Sequence, residues 1–516
     1  MIMFLKRLFQ LFGLALAVIM RRDLTGPARL RVFFENAAGA FVKFGQFLAL
    51  RQDFLSQPYI DELLKLANKM PLVPIEKMEA VFADETGRPI EIFFSKFDPT
   101  PIAVGSIAQI YRAKLKDETK VAVKIQKPDA RKEFEEDFKV IISLAIIADF
   151  FRFLSSLYLE EIVCEFISWT KKELDFTFET KNAMAVYKHS LMHPRTVVPK
   201  QYPELSTSRV LIQELIELDD GVAVEDLFFK NYSFNHLSES GINPDEMANY
   251  IVADQMRQYF IDGFFHADPH PANLIFLAGN KLVYVDFGIV GKADAKRLLF
   301  LKTLHGIAKK DIDTAARAMM EFGSKTMAEE LDIYFKRNIR KHQLTLKIMG
   351  KIKETILADF KKDLGAILNP WFDALKRPGV TPTEKGATSV FLAIIKEAER
   401  HSARFPREMV LFFRSLSLLD MIALHISPNF DMMKALNYFF GKNSIEEVER
   451  IISEESHAGS SEKKIIYTAD IDWEVFREMA VFEKERTMHA RERIMELVTH
   501  YSERYEELKP LMKNYK

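Results

Sequence analysis

Cysteine is nearly absent from this chain of 516 residues, which contains only Cys164. A single cysteine excludes an intrachain disulfide framework and any zinc or iron–sulfur site built from several thiolates. An excess of charge of one sign is also lacking, because 72 basic residues offset 73 acidic ones and the formal net charge is -1. The chain therefore has no overall basic field of the kind that holds nucleic acid, and no nucleic-acid partner is expected.

The N-terminus lacks an apolar run long enough for a simple membrane-spanning helix. Residues 1–20 read MIMFLKRLFQLFGLALAVIM, and their uninterrupted apolar part, 11–20, is shorter than the roughly 20 residues that a span needs. Residues 1–51 carry eight basic and two acidic side chains, so their charge is 8 − 2 = +6. We therefore expect 1–22 to form an apolar helix that acts as a peripheral anchor on an anionic membrane. A helix packed on the protein itself and a secretory signal peptide are the alternatives.

What the sequence does contain is the composition of a globular protein, with 48% hydrophobic and 28% charged residues. Apolar periodicity predicts helices over 29–70 and 75–87, the second of which ends at Gly87. The runs 107–115 and 121–126 are rich in β-forming residues and are joined by a short charged turn, which predicts a β-hairpin. Further strands are predicted at 209–216 and 281–288, and further helices at 129–190, 243–261 and 292–440.

This order of elements predicts an α+β protein with a bilobal, protein-kinase-like fold, an N-terminal helical extension, and a mostly helical C-terminal lobe and tail. The charged tail 472–516 carries an apolar stripe at helical spacing, which is typical of a surface that binds a protein partner or a second copy of the chain. The expected segments are the anchor helix 1–22, the helical extension 23–100, an N-lobe with a helical insertion at 101–217, a C-lobe at 218–442, and a linker with the tail at 443–516.

Phosphoryl transfer needs little covalent help from a protein, but the phosphates must be held, metal ions placed and the nucleophile oriented. Lys124, in VAVK on the predicted hairpin, is a candidate phosphate-binding lysine, although many strands carry a lysine whose ammonium simply reaches solvent. Asp286 ends a predicted strand in VDFG and is a candidate ligand for Mg²⁺, with an ordinary β-turn aspartate as the alternative. Neither motif is specific on its own.

The loop FFHADPHPANLI, residues 264–275, supplies the remaining groups. The Asp268 carboxylate could orient a proton, and the amide oxygen of Asn273, five residues on, could hold a second Mg²⁺. Asp286 follows 13 residues after Asn273, with a predicted strand between them, and Lys124 lies upstream on its own strand. Because these weak signals occur in the order that a kinase requires, together they favour a phosphoryl-transfer site.

Two histidines in the same loop suggest a different chemistry. His266 and His270 are four residues apart, a spacing that binds zinc when both side chains share a helix face. Pro269 and Pro271 flank the second histidine and disfavour a regular helix. We therefore interpret the histidines as the structural frame of the loop rather than as metal ligands.

The chain resembles the UbiB family of atypical kinases, also called the AarF-domain or ADCK-type family. The similarity extends over roughly residues 30–435, and the KxGQ segment together with the HxDPHPxN loop is its most specific part. The stretches that carry it are KFGQ with LALRQDFL (43–55), PIAVGSIAQIYRAKL (101–115), VAVKIQKP (121–128), ELDFTFETKNA (173–183), FFHADPHPANLIF (264–276) and VYVDFGIVGK (283–292).

The resemblance implies a site for ATP and Mg²⁺. Lys124 would bind the nucleotide phosphates with Glu179 as its ion-pair partner, and Asp268 would be the aspartate of the catalytic loop. Asn273 and Asp286 would be the metal ligands. The phosphate loop and the adenine-binding hinge would correspond to Ala103, Val104, Gly105, Ser106, Glu214 and Leu215.

The resemblance also implies regulatory elements. In the family the KxGQ segment belongs to an N-terminal extension that folds across the active site, where protein kinases would dock a substrate. Lys43, Gly45 and Gln46 form that segment here, and Glu173 and Asp175 form the family's ExD element.

The phosphate loop departs from the family pattern. It reads AVGS at 103–106, where the family usually has an alanine-rich AAAS. Glycine permits a closer approach of the backbone to phosphates, so any inhibitory role of an alanine loop is not carried over to this chain. The C-terminus differs as well, because some bacterial relatives end in apolar spanning segments whereas 443–516 is polar and charged.

The expected function is that of an ATP–Mg²⁺-dependent atypical kinase or ATPase in isoprenoid quinone (ubiquinone) biosynthesis or lipid homeostasis. Its expected partners are the nucleotide, an anionic membrane surface, and a lipid or quinone precursor. The expected location is the cytoplasm, peripheral on the inner face of the cell membrane. A catalytically weak nucleotide-binding scaffold is one alternative, and a small-molecule kinase like the aminoglycoside phosphotransferases is another, against which the KFGQ and ELDF stretches count.

Overall fold

The computed structural model describes residues 2–49, 55, 57–67, 72–150, 159–217, 221–229, 234–293, 297–321, 339–377, 379–400 and 407–458. The chain divides into two compact units. The first unit comprises Met1–Ile242 and Asp268–Val290, and the second comprises Asn243–Ala267 and Gly291–Lys516. The predicted tail surface at 472–516 lies outside the described residues.

The α-helices described in the first unit all lie before the predicted catalytic loop. Short 3₁₀ turns occur at Leu64–Ala67 and Pro271–Asn273. Its α-helices are α1 Ile2–Ile19, α2 Gly26–Ala37, α3 Gly39–Ala49, α4 Gln57–Leu63, α5 Ile75–Thr86, α6 Ile90–Phe93, α7 Ala130–Phe150, α8 Leu159–Glu173, α9 Phe176–Ser190, α10 Val224–Phe229 and α11 Phe234–Glu239.

The single helix predicted over 29–70 is wrong, because the chain breaks between α2 and α3. Ala38 and Gly39 have φ values of 56° and 54°, which lie in the left-handed region. A residue distant in sequence stabilises the break, because Asp137 on α7 accepts a hydrogen bond from the Ala40 amide at 3.0 Å. A Cβ on Gly39 would lie 2.5 Å from the Asp137 carboxylate, so only glycine fits there.

The main sheet of the first unit is antiparallel and has the order β1-β3-β4-β6, with β2 paired to β3. The predicted hairpin is confirmed, with Lys124 of β4 opposite Ile110 of β3. One face packs on α5, where Phe82 is buried with Val121 and Val123. The strands are β1 Phe94–Phe97, β2 Ala103–Val104, β3 Ala108–Leu115, β4 Lys120–Gln126 and β6 Val210–Glu214.

A buried glutamine joins this sheet to the segment that precedes α5. Gln109, on β3, is fully buried. Its side-chain oxygen accepts the Val73 amide at 2.6 Å, and its side-chain nitrogen donates to the Val73 carbonyl at 3.1 Å. We call this pair of bonds the Gln109 clasp. It fixes the end of the helical extension to the strand that follows the predicted phosphate loop.

A second sheet of the first unit has the order β5-β10-β9-β7. Strands β9 and β10 form an antiparallel hairpin in which Leu277 pairs with Lys281. Its three-residue turn contains Gly279 and Asn280, both with positive φ, as short hairpin turns commonly require. The strands are β5 Thr196–Val197, β7 Gly221–Ala223, β9 Leu274–Leu277 and β10 Lys281–Tyr284.

The second unit is mostly helical around an aromatic core. The predicted start of α12 is confirmed, because the Asn243 side chain accepts the Glu246 amide and Pro244 follows it. Tyr259, Phe265 and Phe412 pack against one another in this core. A π-helical turn spans Gln258–Asp262 and residues 312–321 are helical. The elements are α12 Pro244–Arg257, β8 Phe264–His266, β11 Val290–Lys292, α13 Arg297–Ala308, α14 Ile339–Ala374, α15 Pro382–Lys385, α16 Ala387–Arg400, α17 Arg407–Ile426, α18 Met432–Lys442 and α19 Ile445–Ala458.

Among the helices within the described ranges, none is both long and apolar enough to cross a membrane. Residues 1–22 include α1, which packs against α2 and α7 of the first unit. The helix therefore rests on the protein along one side.

Candidate nucleotide and metal site

Three charged side chains from separate parts of the first unit meet around Lys124. Its ammonium lies 2.8 Å and 2.9 Å from the two carboxylate oxygens of Glu179, on α9. It also lies 2.9 Å from Oδ2 of Asp286. The ring of Phe176 is 5.2 Å below the same ammonium, at a distance typical of a cation–π contact. The structure thus brings together three residues that are far apart in sequence.

This cluster has two negative groups for one positive group, and the pKa values reflect that imbalance. Burial alone would lower the pKa of Lys124, but the carboxylates of Asp286 and Glu179 outweigh it and raise the pKa well above the ordinary lysine value. Burial and the negative charge of Asp286 raise the pKa of Glu179 to about 7, against the opposing effect of Lys124. An additional cation would therefore be favourable here.

The β9–β10 hairpin explains the spacing of Asn273 and Asp286. Asn273 directly precedes β9, and Asp286 comes two residues after β10 ends. The Val285 amide donates to the Asn273 carbonyl at 3.1 Å, which joins the two ends of the hairpin. The 13-residue interval seen in the sequence is thus one antiparallel hairpin that brings both side chains to the same end.

The donor atoms of Asn273 and Asp286 suit a magnesium ion. The Asn273 side-chain nitrogen donates to the Asp268 carbonyl at 3.1 Å, which leaves its amide oxygen as the atom for a metal. Oδ1 of Asp286 accepts the Gly288 amide at 2.9 Å, and the side chain is 38% exposed. Carboxylate and amide oxygens are the ligands that Mg²⁺ prefers. The residues present therefore fit the ion that the resemblance implies.

The predicted catalytic loop is held by hydrogen bonds of its own backbone. The Asp268 carbonyl accepts the His270 amide at 2.7 Å as well as the Asn273 side chain. Nδ1 of His270 accepts the Ala272 amide at 3.3 Å, so this histidine caps the short 3₁₀ turn.

His266, in the second unit, is buried, and its amide donates to Gln258. In the described part of the chain, no group of three or more His, Cys, Asp or Glu side chains is arranged to hold a metal ion.

The regulatory residues predicted from the resemblance also meet. The Lys43 ammonium lies 2.5 Å from the Glu173 carboxylate. Burial would lower the pKa of Lys43, but Glu173 outweighs it, and the carboxylates of Asp286 and Asp268 raise it further. The cation from the extension therefore lies within the electrostatic reach of both aspartates of the candidate site.

Asp175, the second acid of the ExD motif, caps a helix. It is the N-cap of α9, where its carboxylate accepts the Thr177 amide at 3.0 Å and the Thr177 hydroxyl at 2.7 Å. A capping carboxylate stabilises the first turn of a helix. Because Glu179 lies in that first turn, Asp175 fixes the position of the carboxylate that pairs with Lys124.

Gly45 and Gln46 lie on α3 and face the end of the extension. A Cβ on Gly45 would lie 2.5 Å from the Leu66 side chain and 2.8 Å from Phe34, so close packing requires glycine. The Gln46 side chain donates to the Leu66 carbonyl at 3.4 Å. Both residues thus hold α3 against the 3₁₀ turn that follows α4.

The predicted phosphate loop and hinge lie at two ends of the main sheet. Gly105 donates its amide to the Ala108 carbonyl, and a Cβ there would meet only that carbonyl, at 3.5 Å. The amides of Glu214 and Leu215 donate to the backbone carbonyls of Lys200 and Lys120, so these two amides are already engaged. In the loop, Ala103 is exposed, whereas Val104 and Ser106 are half-buried. These assignments remain predictions.

Three residues that support the site were not singled out from the sequence. They are Phe176 under Lys124, Asn182 and Gln213. The side chains of Asn182 and Gln213 donate to the backbone carbonyls of Phe287 and Val285, at 3.0 Å and 3.1 Å. The ELDFTFETKNA stretch contains the first two. Gln213 lies on the strand that leads into the predicted hinge, but no sequence pattern indicates its bond to Val285.

Comparisons with known proteins point to one family of atypical kinases. Residues 65–319 match the family model of the ABC1 atypical kinase-like domain. The Arabidopsis thaliana protein ACTIVITY OF BC1 COMPLEX KINASE 8, chloroplastic, is 28% identical over 76% of this chain. An uncharacterized aarF domain-containing protein kinase, At1g71810, chloroplastic, from the same plant is 29% identical over 79%. The matches cover 50% and 52% of these relatives, so the chain spans about half their length.

A solved structure is also similar. The complex of Rv3197 with erythromycin from Mycobacterium tuberculosis is 21% identical, with 75% of this chain and 89% of that chain covered and a TM-score of 0.48. The family model and the kinase-named relatives confirm the predicted family and the α+β, kinase-like fold with a mostly helical C-terminal region. The chain belongs to the ABC1 atypical kinase-like family, which is also called the UbiB, AarF-domain or ADCK-type family.

Proposed function

We propose that this chain binds ATP with Mg²⁺ and acts as a phosphotransferase or ATPase. The observation that carries the proposal is the contact of Lys124 with both Glu179 and Asp286 at 2.8–2.9 Å. Lys124 comes from β4, Glu179 from α9 and Asp286 from the turn after β10, and the 38% exposure of Asp286 leaves this cluster open to a further ligand. A nucleotide would be such a ligand.

Each residue then has a task. Lys124 would hold the nucleotide phosphates, and Glu179 would keep its ammonium in place. Asn273 and Asp286 would hold the metal ion, which neutralises phosphate charge when bound. Asp268, on the braced loop, would orient the hydroxyl or water that receives the phosphoryl group.

A membrane-related substrate is the finer part of the proposal. The family resemblance supports a role in isoprenoid quinone biosynthesis or lipid homeostasis, with a lipid or quinone precursor as the acceptor. Such apolar substrates would be met at a membrane surface. We extend the proposal to that setting, on the inner face of the cell membrane.

A nucleotide-binding scaffold is the second candidate, and one contact favours it. Lys43 pairs with Glu173 and its charge reaches Asp268 and Asp286. A cation at this point would compete with an acceptor for the catalytic aspartate. The chain would then bind ATP and Mg²⁺ without efficient transfer.

Purified protein distinguishes these candidates. We expect Mg²⁺-dependent stabilisation by ATP in a thermal shift assay, and ATP turnover in the presence of anionic liposomes. Asp286→Asn should abolish turnover and Asp268→Asn should reduce it while ATP still binds. Binding without turnover under every condition would favour the scaffold, and the absence of any ATP binding would overturn the nucleotide site.

A further inference from the structure

Helix α1 has an outward face that is almost entirely apolar. Its large apolar side chains recur three and four residues apart, which places them on one side of a helix. A helix that is apolar on all sides is normally covered on all sides. The exposed members of this face are Phe9 (74%), Phe12 (69%), Leu16 (53%), Ile19 (65%) and, just after the helix, Met20 (73%). We call these five residues the α1 face.

The opposite side of α1 is fixed to the protein. Leu11 and Val18 are buried. Arg7 donates to the Asp137 carboxylate at 2.8 Å and to the Ala37 carbonyl at 2.7 Å, which ties α1 to α7 and α2. The helix is therefore held along one half of its circumference, and the α1 face is presented as a ready-made surface.

Cations stand at both ends of the α1 face. Lys6 is exposed at its start, and Arg21 and Arg22 are exposed at its end. The nearby acid, Asp23, already pairs with Arg21 at 2.7 Å. An apolar strip with cations at its ends is complementary to a bilayer with anionic head groups.

The same charges argue against a second copy of the chain as the cover. In a two-fold dimer, antiparallel α1 helices would bring Lys6 towards the partner's arginines. Parallel helices would bring each Lys6 towards the other. Either arrangement places like charges together, which is unfavourable. A lipid surface meets no such repulsion.

We propose that the α1 face is a bilayer-docking surface, on which the chain rests with α1 lying along the plane of anionic head groups. Phe9, Phe12 and Ile19 enter the boundary of the acyl chains, while Lys6 and Arg22 contact lipid phosphates. This inference rests on the membrane setting of the proposed function, whereas ATP binding does not depend on it, so the two can fail separately.

Co-sedimentation of the full chain with vesicles tests the surface. We expect binding to vesicles of equal parts phosphatidylglycerol and phosphatidylcholine, and at least tenfold weaker binding for the double variant F12E/I19E. The matched control is L191E/M192E, which alters two apolar residues that are 65% and 79% exposed elsewhere in the first unit. The control should bind as the native chain does. Equal binding by F12E/I19E, or no binding by the native chain, would overturn the proposal.

Charge and location are tested separately. Lys6→Glu with Arg22→Glu should weaken binding to the anionic vesicles several-fold and leave weak binding to pure phosphatidylcholine unchanged. Because Cys164 is the only cysteine, a Cys164→Ser background allows a polarity-sensitive dye to be attached through Phe12→Cys or Met192→Cys. Vesicles should shift the emission to the blue at position 12 and not at position 192.

Two readouts guard against misinterpretation. The thermal unfolding midpoint of F12E/I19E should match that of the native chain, because both side chains face solvent. Sedimentation velocity without lipid should give the same mass for both proteins. A native dimer that F12E/I19E converts to a monomer would overturn the proposal in favour of a second copy.

Discussion

Two clusters of buried charge, one in each unit, have the same make-up and different surroundings. In the first unit Lys124 contacts the carboxylates of Glu179 and Asp286. In the second unit Arg257 contacts the carboxylates of Asp254 and Asp262. Each cluster thus places one cation between two acids.

The two clusters differ in how deeply their carboxylates are buried and in how many partners those carboxylates have. Both carboxylates around Arg257 are almost fully buried, and Gln258 donates to the second oxygen of Asp254 at 2.7 Å. Asp286, by contrast, is 38% exposed. A guanidinium is a rigid fork that fixes two partners, whereas an ammonium is a point charge that can accept a new anion. The same stoichiometry is therefore structural in one unit and suited to a ligand in the other.

The largest expected effect breaks the structural cluster. Arg257→Met leaves two buried carboxylates without their cation and should lower the free energy of unfolding by about 3–5 kcal/mol. Denaturant unfolding measures this loss. Arg317→Met is the matched control in the same unit, because Arg317 forms an exposed pair with Asp313 and should cost less than about 0.5 kcal/mol. Similar losses in the two variants would show that the Arg257 cluster is not structural.

The second effect breaks the ligand cluster. Lys124→Met removes the proposed phosphate contact and should weaken ATP binding about 100-fold, as expected for a charge-assisted bond of about 2.7 kcal/mol. Isothermal titration in the presence of Mg²⁺ measures the change. Lys120→Met serves as the control, since this lysine lies on the same strand and pairs with Glu217 at the surface. Unchanged affinity in Lys124→Met would remove the main support for the nucleotide site.

The third effect is a dependence of stability on pH that arises from Glu179. The pKa of Glu179 is raised in the folded protein to about 7, above the value of about 4.3 in an unfolded chain. The folded state therefore binds more protons between these values, so the stability from this group is full below pH 4 and is lost as pH rises through 7. Without nucleotide, the native chain should lose about 2–3 kcal/mol more stability from pH 5 to pH 8 than Glu179→Gln does. Parallel pH profiles of the two proteins would contradict this assignment.

The smallest effects concern two glycines of the first unit. Gly45→Ala should cost about 1 kcal/mol, because its Cβ would press on Leu66 and Phe34. Gly105→Ala should change stability by less than about 0.5 kcal/mol, because the site has room and no positive φ. Thermal unfolding of the two variants side by side gives the comparison. A larger loss for Gly105→Ala would mean that the phosphate loop has a tighter structure than described.

Local chemistry allowed much of the fold to be predicted. Gly87 ends α5 in the left-handed conformation, and Asn243 caps α12, because both signals act within a few residues. The hairpin of β3 and β4 followed from β-forming runs around a charged turn. The break at Ala38 could not be predicted, because its support comes from Asp137, which is 99 positions away in the sequence.

In the candidate site, too, local signals could be read from the sequence and long-range contacts could not. The order of Lys124, Asp268, Asn273 and Asp286 in the sequence indicates phosphoryl transfer, and the family resemblance adds Glu179. What the sequence could not indicate were the groups that hold these residues from outside, such as Gln213, which binds the Val285 carbonyl. Such contacts depend on how strands meet in space, and a single sequence carries no pattern for them.

The Gln109 clasp has a consequence for observing the protein at work. The Val73 amide donates to a buried side chain of β3, so its hydrogen exchanges with solvent only when that contact opens. Its exchange rate therefore reports how often the contact between the extension and the sheet opens. If ATP stabilises this contact, hydrogen exchange at the Val73 amide becomes slower. If the extension separates from the sheet, exchange at Val73 becomes faster while exchange at the neighbouring sheet amides is unchanged.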